Sequence, residues 1–320
     1  MPLLDLRDLT VEFPTRHSTL RALDRVSFSI ESGEILGVVG ESGAGKSLTG
    51  AAIVGLLEPP GRIASGEIRL NGQRIDNLPA EPMRRIRGRR IGTVFQDPLT
   101  TLNPLYSVGR QLVETMQTHA RIPNGEARRK AVGWLDRVGI PAAAQRIDAY
   151  PHEFSGGQRQ RVVIALALCA EPALVIADEP TTALDVSIQA QIITLLKDLT
   201  RDHGTAIMLV THDMGVIAET ADRVAVMYAG RIVEIGPVAA VVGCPAHPYT
   251  DGLMASIPSL QQPIDRLRQI DGTMPRPDAI PCGCRFHPRC PRVFGRCLSE
   301  EPDLMPAGTT RAACWLHASD

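Results

Sequence analysis

The most constraining feature of this sequence is an eight-residue segment, Gly40-Glu-Ser-Gly-Ala-Gly-Lys46-Ser47, that fits the pattern G-x-x-x-x-G-K-S. It follows an apolar stretch, Ile35 to Val39, that is typical of a buried strand, and it opens a helical stretch, Ser47 to Leu57. In this context the glycines let backbone N–H groups surround a phosphate at the positive end of a helix dipole. Lys46 can then reach the β- and γ-phosphates, and the Ser47 hydroxyl can ligate magnesium. The segment predicts a nucleoside triphosphate site.

Composition narrows the class of protein. The chain has 320 residues, 44% of them hydrophobic and 22% charged, with a formal net charge of -1. These values are typical of a folded globular protein and give no global field that would attract nucleic acid or an acidic membrane surface. The longest apolar run, Val162 to Ala170, is far shorter than the roughly 20 residues that a bilayer span needs. Because no basic region followed by an apolar one opens the chain, we expect no secretory signal and retention in the cytosol.

Short apolar strands alternate with helical stretches over the N-terminal three quarters of the chain, which is the α/β pattern. The turn Asn71-Gly72, after the strand Glu67 to Leu70, predicts a hairpin. The period becomes helical between Asn103 and Ala170. The segment after Pro245 is rich in proline and weakly periodic, so it cannot build a large core and needs a ligand or a docking surface to be ordered.

Two carboxylates follow a second apolar strand. The segment Leu174-Val-Ile-Ala-Asp178-Glu179 places both at the carboxyl end of a strand, where ligands bind in parallel sheets. Asp178 is suited to hold magnesium, and Glu179 to polarise an attacking water as a general base. Acidic residues often follow strands, so the pattern gains its weight from its combination with Lys46.

A second candidate anion cradle lies at Phe154-Ser-Gly-Gly-Gln158, just before the helical run Arg159 to Cys169. A serine and two glycines at a helix N-terminus can hold a phosphate, although the same residues also make an ordinary helix cap. The chain thus has two candidate phosphate cradles but one phosphate-binding lysine. The residues alone do not explain the second cradle.

In their order along the chain, these segments resemble the ATP-binding subunit of ABC transporters, together with Thr182-Ala-Leu-Asp185 and with His212 after the strand Ala206 to Val210. The resemblance implies an α/β fold, namely a P-loop NTPase (RecA-like) core with an antiparallel β part and an inserted α-helical subdomain, followed by a small extension rich in cysteine and proline. We expect the nucleotide-binding domain at residues 1–245, its helical subdomain at about residues 97–170, and the C-terminal extension at residues 246–320.

The resemblance also implies a head-to-tail pair of such domains, in which each ATP lies between the Lys46 segment of one and the Ser155-Gly-Gly-Gln158 segment of the other. The implied ATP-binding residues are Phe13, Gly40, Glu41, Ser42, Gly43, Ala44, Gly45, Lys46 and Ser47. Ser155, Gly156, Gly157 and Gln158 would contact the ATP of the partner chain. The implied catalytic residues are Glu179, His212 and Gln96, and the implied magnesium ligands are Ser47, Gln96 and Asp178.

Individual roles follow from the same resemblance. Phe13 would stack on adenine, which is favoured over its being only a core strand residue, and His212 would contact the γ-phosphate. Gln96 would sense the γ-phosphate and magnesium and link to the membrane subunits, and Asp185 would communicate across the dimer. Phe154 stands where the family usually has leucine, while the Ser-Gly-Gly-Gln core that follows is intact.

Within the family, the chain looks like the subgroup that serves di- and oligopeptide importers. The stretches that carry this similarity are Phe95-Gln-Asp-Pro-Leu-Thr-Thr-Leu-Asn-Pro104, Tyr150-Pro-His-Glu-Phe-Ser155, Ala177-Asp-Glu-Pro-Thr-Thr-Ala-Leu-Asp-Val186 and His247-Pro-Tyr-Thr250. The cysteines Cys284, Cys290, Cys297 and Cys314 are similar to a C-terminal motif of those subunits, which in some members binds a four-iron four-sulfur cluster.

Chemistry alone leaves the ligand of these cysteines open. Four thiolates in a proline-rich tail of an intracellular protein are typical of a metal staple. The spacing lacks the paired C-x-x-C of structural zinc sites, which favours iron–sulfur over zinc, and an empty reduced tail is the third reading. Cys282 lies two positions before Cys284 and could take its place.

The implied partners are two transmembrane permeases, a second ABC ATPase, with a heterodimer favoured, and indirectly an extracytoplasmic solute-binding protein. The chain would then be peripheral on the cytoplasmic side of the inner membrane, with no nucleic acid as partner. One alternative is a soluble ABC ATPase that acts on nucleic acid and has a zinc-binding tail, which the compact stretch of 107 residues between Ser47 and Ser155 disfavours. Another is an importer of nickel or of a glutathione-like solute.

Overall fold

The structure is a computed structural model, and it describes residues 1–16, 18–95, 98–181, 186–256 and 269–318. The strands are β1 Leu4–Pro14, β2 Thr19–Ile30, β3 Ile35–Val39, β4 Arg62–Leu70, β5 Gln73–Arg74, β6 Ile91–Val94, β7 Leu174–Asp178, β8 Ala206–Val210, β9 Arg223–Tyr228, β10 Arg231–Pro237, β11 Met305–Ala307 and β12 Thr310–Ala312.

The helices follow the same chain order. They are α1 Lys46–Ile53, α2 Ala80–Ile86, α3 Pro98–Thr101, α4 Val108–His119, α5 Asn124–Arg137, α6 Ala143–Arg146, α7 Gly156–Leu168, α8 Val186–His203, α9 Met214–Thr220, α10 Val238–Gly243, α11 Pro248–Ala255 and α12 Gly295–Ser299. In the part of the chain that the structure describes, none of these helices is long and apolar enough to cross a membrane.

The chain divides into two compact units. The first, here called the helical unit, comprises Met1, residues 31–34 and residues 77–208. The second, here called the sheet unit, comprises residues 2–30, 35–76 and 209–320. The chain passes from the helical unit to the sheet unit within β8. The domain boundary near residue 245 stays a prediction.

Antiparallel strands in the order β2-β1-β4-β5 form one sheet of the sheet unit. Leu4 of β1 lies opposite both Ile30 and Leu70, and all three side chains are fully buried. The apolar faces of the three strands therefore form one core layer. Asn71 and Gly72, with φ angles of 50° and 76°, join β4 to β5. These two left-handed residues confirm the predicted hairpin turn.

Five further strands of the sheet unit lie side by side in the order β11-β12-β10-β9-β3. β3 and β9 are parallel, with Val38 opposite Ala225, and all five residues of β3 are buried, as expected of a strand covered on both faces. β12, from the C-terminal segment, pairs with β10 at Glu234 and Ala312. The proline-rich segment therefore gains part of its order by docking on this sheet, as its composition predicts.

In the helical unit, β6 and β7 are parallel, with Ile91 opposite Leu174. Several helices pack together beside them through apolar stripes. α4, for example, buries Val108, Leu112 and Met116 at a spacing of four residues, and the Ser107 side chain caps it by accepting from the N–H of Arg110. This helical region occupies the interval in which the sequence period changes to 3.6.

One helix is shorter than its predicted extent. The sequence predicts a helix from Ser47 to Leu57, but α1 ends at Ile53. Gly55 has a φ of 63°, its N–H donates to Ala52 O, and the N–H of Leu56 donates to Ala51 O. This is a Schellman cap, in which a left-handed glycine satisfies the last carbonyls and stops the helix before the chain reaches its prolines.

Candidate functional site

The phosphate-binding loop joins β3 to α1 in the sheet unit. Gly40, Gly43 and Gly45 have φ angles of 152°, 83° and 104°. At Gly40 the backbone comes so close to β9 that a Cβ atom would overlap the carbonyl oxygen of Met227. Only glycine can make this approach, so the loop has the tight geometry that its motif predicts.

Lys46 folds back across this loop. Its Nζ donates to the carbonyl oxygens of Gly40 at 2.8 Å and Glu41 at 3.1 Å, and the residue is 6% exposed. Ser47, the second residue of α1, is exposed. The start of α1 therefore presents an ammonium and a hydroxyl where the helix dipole favours an anion.

Glu41 is held by two side chains from far along the chain. Its backbone N–H donates to the Tyr249 hydroxyl at 2.9 Å, and its carboxylate oxygens each accept from Arg289 Nη1 at 3.1 Å. Burial disfavours the charge of Arg289, but hydrogen bonds to Tyr228 and Glu41 outweigh this effect and raise its pKa. The sequence did not predict that Tyr249 and Arg289 contact the loop, because local patterns carry no information on contacts across more than 200 residues.

A buried aromatic cluster supports these two side chains. Tyr228 packs edge-on against Tyr249 at 4.7 Å between ring centroids and against Phe286 at 5.3 Å. Tyr249 is fully buried, and this burial raises the pKa of its hydroxyl. The guanidinium carbon of Arg289 lies 5.8 Å from the Tyr228 ring centroid. The cluster is apolar except for the tyrosine hydroxyls, which face Glu41 and Arg289.

Two other predicted residues lie in the sheet unit. His212 follows β8 and is exposed, and the preceding Thr211 donates its N–H to Val38 O at 3.2 Å. This hydrogen bond places His212 beside the strand that leads into the phosphate-binding loop. Phe13 is half-buried in β1, and its ring lies against Gly61, where a Cβ atom would come within 2.7 Å of Phe13 Cε1.

The acidic pair lies in the helical unit. Asp178 is the last residue of β7, and both it and Glu179 are half-buried. Glu179 has a left-handed φ of 46°, which is uncommon outside glycine and turns the chain sharply at the strand end. The Gln160 side chain, 2% exposed, donates to the carbonyl oxygen of Pro180 at 2.8 Å and fixes this turn.

The second anion cradle is a well-capped helix start. Ser155 accepts from the N–H of Gln158, and the Gln158 side chain accepts from the N–H of Ser155 at 3.2 Å. This capping box begins α7 at Gly156, where a Cβ atom would point into open space, with nothing within 4 Å. Arg146 donates to Gln158 Oε1 at 3.2 Å, and its guanidinium lies over the ring of the buried Phe154.

Two of the predicted site residues, Gln96 and Asp185, lie outside the described residues, as do Thr182, Ala183 and Leu184. Of the remainder, the sheet unit holds the phosphate-binding loop, Phe13 and His212. The helical unit holds the acidic pair and the second cradle.

The cysteines Cys284, Cys290, Cys297 and Cys314 line one small cavity of the sheet unit, whereas Cys282 is exposed. Burial raises the pKa of Cys284 to about 11 and also raises the pKa of Cys290 and of Cys314. Across the described ranges, no three Cys, His, Asp or Glu side chains are grouped so that they could hold a metal ion. The four thiols thus share a cavity, but their grouping is not that of a metal site.

Comparison with protein families gives two matches. The profile described as "ABC transporter" matches residues 23–182. The profile described as "Oligopeptide/dipeptide transporter, C-terminal region" matches residues 233–297. The second match overlaps β10, α11 and the first three of the four clustered cysteines.

Whole-chain comparison finds relatives of the same length. The dipeptide transport ATP-binding protein DppD of Escherichia coli (strain K12) is 44% identical over 100% of this chain and 98% of its own. The oligopeptide transport ATP-binding protein AppD of Bacillus subtilis (strain 168) is 44% identical over 99% of this chain and 98% of its own.

Solved structures share the fold over most of the chain. The ATP-binding cassette MJ0796, in a dimeric post-hydrolysis state bound to ADP and Pi, superposes with a TM-score of 0.67 at 28% identity, covering 73% of this chain and 98% of that one. The structure of cbiO1 from Clostridium perfringens, part of the ABC transporter complex cbiONQ, gives a TM-score of 0.65 at 30% identity, covering 76% of this chain and 91% of that one.

Proposed function

This chain belongs to the ABC transporter family, as an ATP-binding subunit with ATPase activity, and we propose that it powers the import of di- or oligopeptides. The observation that carries the proposal is full-length similarity, at 44% identity, to a dipeptide transport ATP-binding protein. The match of residues 233–297 to the oligopeptide/dipeptide transporter C-terminal region supports the same cargo class from a different part of the chain.

In the proposed site, ATP is bound by the loop from Gly40 to Ser47, with Phe13 against adenine. Magnesium, when bound, would neutralise phosphate charge. Ser47 and Asp178 would hold it, because both carry oxygen ligands, one exposed at the start of α1 and one at the carboxyl end of β7. Gln96 is proposed as a further ligand by resemblance alone.

Hydrolysis is proposed to use Glu179 as the general base. The backbone turns sharply at Glu179, so its carboxylate need not follow the direction of β7. The hydrogen bond from the Gln160 side chain to Pro180 O keeps this turn in place. Glu179 would accept a proton from the attacking water, while His212, beside the strand that enters the phosphate-binding loop, would contact the γ-phosphate.

The capped start of α7 supports a composite site. Ser155 and Gly156 are exposed residues, and the open space at Gly156 would admit a phosphate that approaches from outside the chain. We propose that Ser155, Gly156, Gly157 and Gln158 bind the ATP of a second ABC ATPase subunit in a head-to-tail pair, for which a heterodimer is favoured. Asp185 is proposed to communicate across that pair. The dimeric state of MJ0796 supports this assembly by similarity.

The cysteines are proposed to hold a four-iron four-sulfur cluster. Four thiols that line one cavity have the number and the chemistry that such a cluster requires of its protein ligands. Burial favours the protonated thiol at Cys284, Cys290 and Cys314, so a cationic cluster would have to displace those protons, and loading would have to rearrange the segments that carry the thiols. The exposure of Cys282 supports Cys284 as the first ligand.

Absorption spectroscopy tests the cluster. Protein purified without oxygen should show visible iron–sulfur absorption, which Cys297→Ser should abolish. Cys244→Ser is the matched control, because Cys244 is exposed and does not line the cavity, and it should keep the absorption. A colourless wild-type protein loaded with zinc would contradict the proposal.

The proposed assembly places the chain on the cytoplasmic face of the inner membrane, bound to two transmembrane permeases, with an extracytoplasmic solute-binding protein as an indirect partner. Affinity capture of the chain from detergent-solubilised native membranes, followed by mass identification, tests this assembly. Two multi-span permeases and a second ATPase are the expected partners. Recovery of ribosomes or nucleic acid without any membrane protein would overturn the transport role.

Uptake measurements then test the cargo. In cells that lack this chain, the wild-type chain should restore uptake of labelled di- or oligopeptides, whereas Glu179→Gln should not. Restored uptake of nickel or glutathione without any peptide uptake would leave the importer standing and refute the peptide cargo.

A further inference from the structure

Glu41 links three parts of the sheet unit. Its carbonyl oxygen accepts from Lys46 Nζ, its N–H donates to Tyr249, and its carboxylate accepts from Arg289. Tyr249 and Arg289 lie in the predicted C-terminal extension (residues 246–320), not in the strand and helix that flank the phosphate-binding loop. The loop is thus built by β3 and α1 but held in part by the extension.

We propose that Arg289 and Tyr249 are positioning residues for ATP, which fix Glu41 and neutralise its carboxylate so that the loop can accept a triphosphate. The inference rests on the proposed role of residues 40–47 in binding ATP, and it assigns to the extension a direct influence on nucleotide affinity. Neither residue is proposed to touch the nucleotide.

Electrostatics favours this role for Arg289. A carboxylate in the phosphate-binding loop would repel the phosphates of ATP unless a cation compensated its charge. Arg289 contacts both carboxylate oxygens of Glu41 at 3.1 Å, and the side chains of Arg289 and Glu41 are 6% and 29% exposed, so solvent screens the pair only in part. Loss of the guanidinium would therefore leave a net negative charge beside the bound phosphates.

The rigidity of Arg289 and Tyr249 favours the same role. Arg289 also donates through Nε to Asp271 O at 2.8 Å and through Nη2 to Ile270 O at 3.3 Å, so its guanidinium is fixed on several sides. Tyr249 is fixed by its buried ring contacts and by its own N–H, which donates to His247 Nδ1 at 3.0 Å. Two fixed side chains on one residue hold the backbone of Glu41 in a defined position.

The experiment measures KM for ATP and kcat of the full chain, assembled with its partner ATPase. Arg289→Gln should raise KM about tenfold, the scale of a typical coupling between sites, while kcat changes little. Arg289→Lys keeps the charge and should have a smaller effect on KM. Tyr249→Phe removes only the hydroxyl and should raise KM by a smaller factor than Arg289→Gln does.

The double variant separates the proposed role from simple damage. If the exposed charge of Glu41 weakens binding, adding Glu41→Gln to Arg289→Gln should recover most of the lost affinity. A double variant whose KM for ATP is no lower than that of Arg289→Gln alone would overturn the proposal. If Arg289→Gln does not fold, Tyr249→Phe carries the test, because it removes only the hydroxyl that accepts from Glu41 N–H, and an unchanged KM for ATP in that variant would overturn the proposal.

Arg285→Gln is the matched control. Arg285 also lies in the extension and its side chain is 10% exposed, but it pairs with Asp24 and Glu301 instead of with the loop. Arg285→Gln should leave KM for ATP unchanged. If Arg285→Gln and Arg289→Gln raised KM equally, any loosening of the extension would have the same effect on ATP binding. That result would overturn the proposal.

Lys46→Ala keeps the two hypotheses apart. If it abolishes ATP binding while Arg289→Gln leaves KM unchanged, the positioning role fails and the ATP site stands. If Lys46→Ala leaves binding intact, the site itself is wrong.

Discussion

The two candidate phosphate cradles of this chain are held together in opposite ways. The phosphate-binding loop is tied at Glu41 by residues that lie 208 and 248 positions away. The start of α7 is tied by its own capping box, within three positions, and by Arg146, 12 positions from Gln158. The first cradle depends on a distant segment, whereas the second is complete within its own neighbourhood.

This difference bears on how each cradle can be altered. A change in the extension can reach the phosphate-binding loop through Glu41 without any change in the loop sequence. A change in the same extension has no comparable route to the start of α7 through the hydrogen bonds just named. A variant in the extension can therefore change nucleotide affinity at the phosphate-binding loop without perturbing the second cradle at the start of α7.

The largest expected effect separates chemistry from binding. Glu179→Gln removes the proposed base, so steady-state hydrolysis should fall by a factor of about 1000, within the range for loss of a general base, while ATP binding persists. Phosphate release and equilibrium ATP binding are the two measurements. Glu171→Gln, an exposed change in the same unit, should keep the rate. Near-normal turnover of Glu179→Gln would exclude Glu179 as the base.

A charge placed at the second cradle should act in trans. Gly156→Asp fits without a clash, and an aspartate in the first turn suits the helix dipole, so α7 should keep its stability. Repulsion of the partner's ATP should lower hydrolysis by the assembled pair about a hundredfold, since like charges at an interface cost several kcal/mol.

Thermal unfolding and the ATPase rate of the assembled pair measure these two effects. Gly133→Asp is the control, because a Cβ atom at Gly133 also has nothing within 4 Å and this residue lies in α5, away from the helix start. Unchanged hydrolysis in Gly156→Asp would argue against the composite site.

The docking of the extension should depend on buried ion pairs. Arg285→Ala leaves Asp24, whose side chain is 4% exposed, without one of its cationic partners. We expect a loss of about 2 kcal/mol in the free energy of unfolding, below the roughly 3–5 kcal/mol that follows full loss of a buried partner, because Arg231 remains near Asp24.

Urea denaturation measures this loss. Arg296→Ala is the matched control in the same extension, because its ion pair with Glu300 is exposed and should contribute less than about 1 kcal/mol. Equal losses in both variants would mean that Arg285 has no special part in holding the extension.

The smallest expected effect is a pH dependence in the helical unit. Burial, together with Arg89 and Arg84, lowers the pKa of His119 below its usual 6.5. As the pH falls below 6.5, the unfolded chain takes up a proton that the folded chain resists, so stability decreases. The loss should be about 0.5 kcal/mol or less, because solvent screens the charge of a half-buried side chain.

Urea midpoints at about pH 8 and about pH 5.5, on either side of the ordinary histidine pKa, measure this dependence, and His119→Gln should flatten it. A midpoint that shifts equally in the wild type and in His119→Gln would assign the pH dependence to other groups.

Local patterns predicted much of this structure, since each is complete within a few residues. The Asn71-Gly72 turn, the glycine-rich loop before Lys46 and the serine cap of α7 all occur as expected. The end of α1 was missed because a single glycine, Gly55, stops the helix earlier than the prolines would. The left-handed cap at Gly55 competes with continuation of the helix. Composition alone does not decide which of the two forms.

The contacts of Glu41 could not be predicted for a different reason. Arg289 and Tyr249 reach it through the tertiary fold, in which β12 pairs with β10 and Tyr249 packs against Tyr228. The sequence marks Tyr249 only as part of His247-Pro-Tyr-Thr250, and Arg289 only by its position next to Cys290. Charge pairing over this distance is a property of the folded chain, and neither periodicity nor spacing encodes it.

Hydrogen–deuterium exchange is the measurement that tests this contrast most directly. It should compare the amides of residues 40–47 with those of residues 155–160, in the wild type and in Arg289→Gln, both without nucleotide. We predict faster exchange in the phosphate-binding loop of the variant and no change at the start of α7. Unchanged exchange in residues 40–47, or an equal increase in both segments, would contradict the dependence of the loop on the extension.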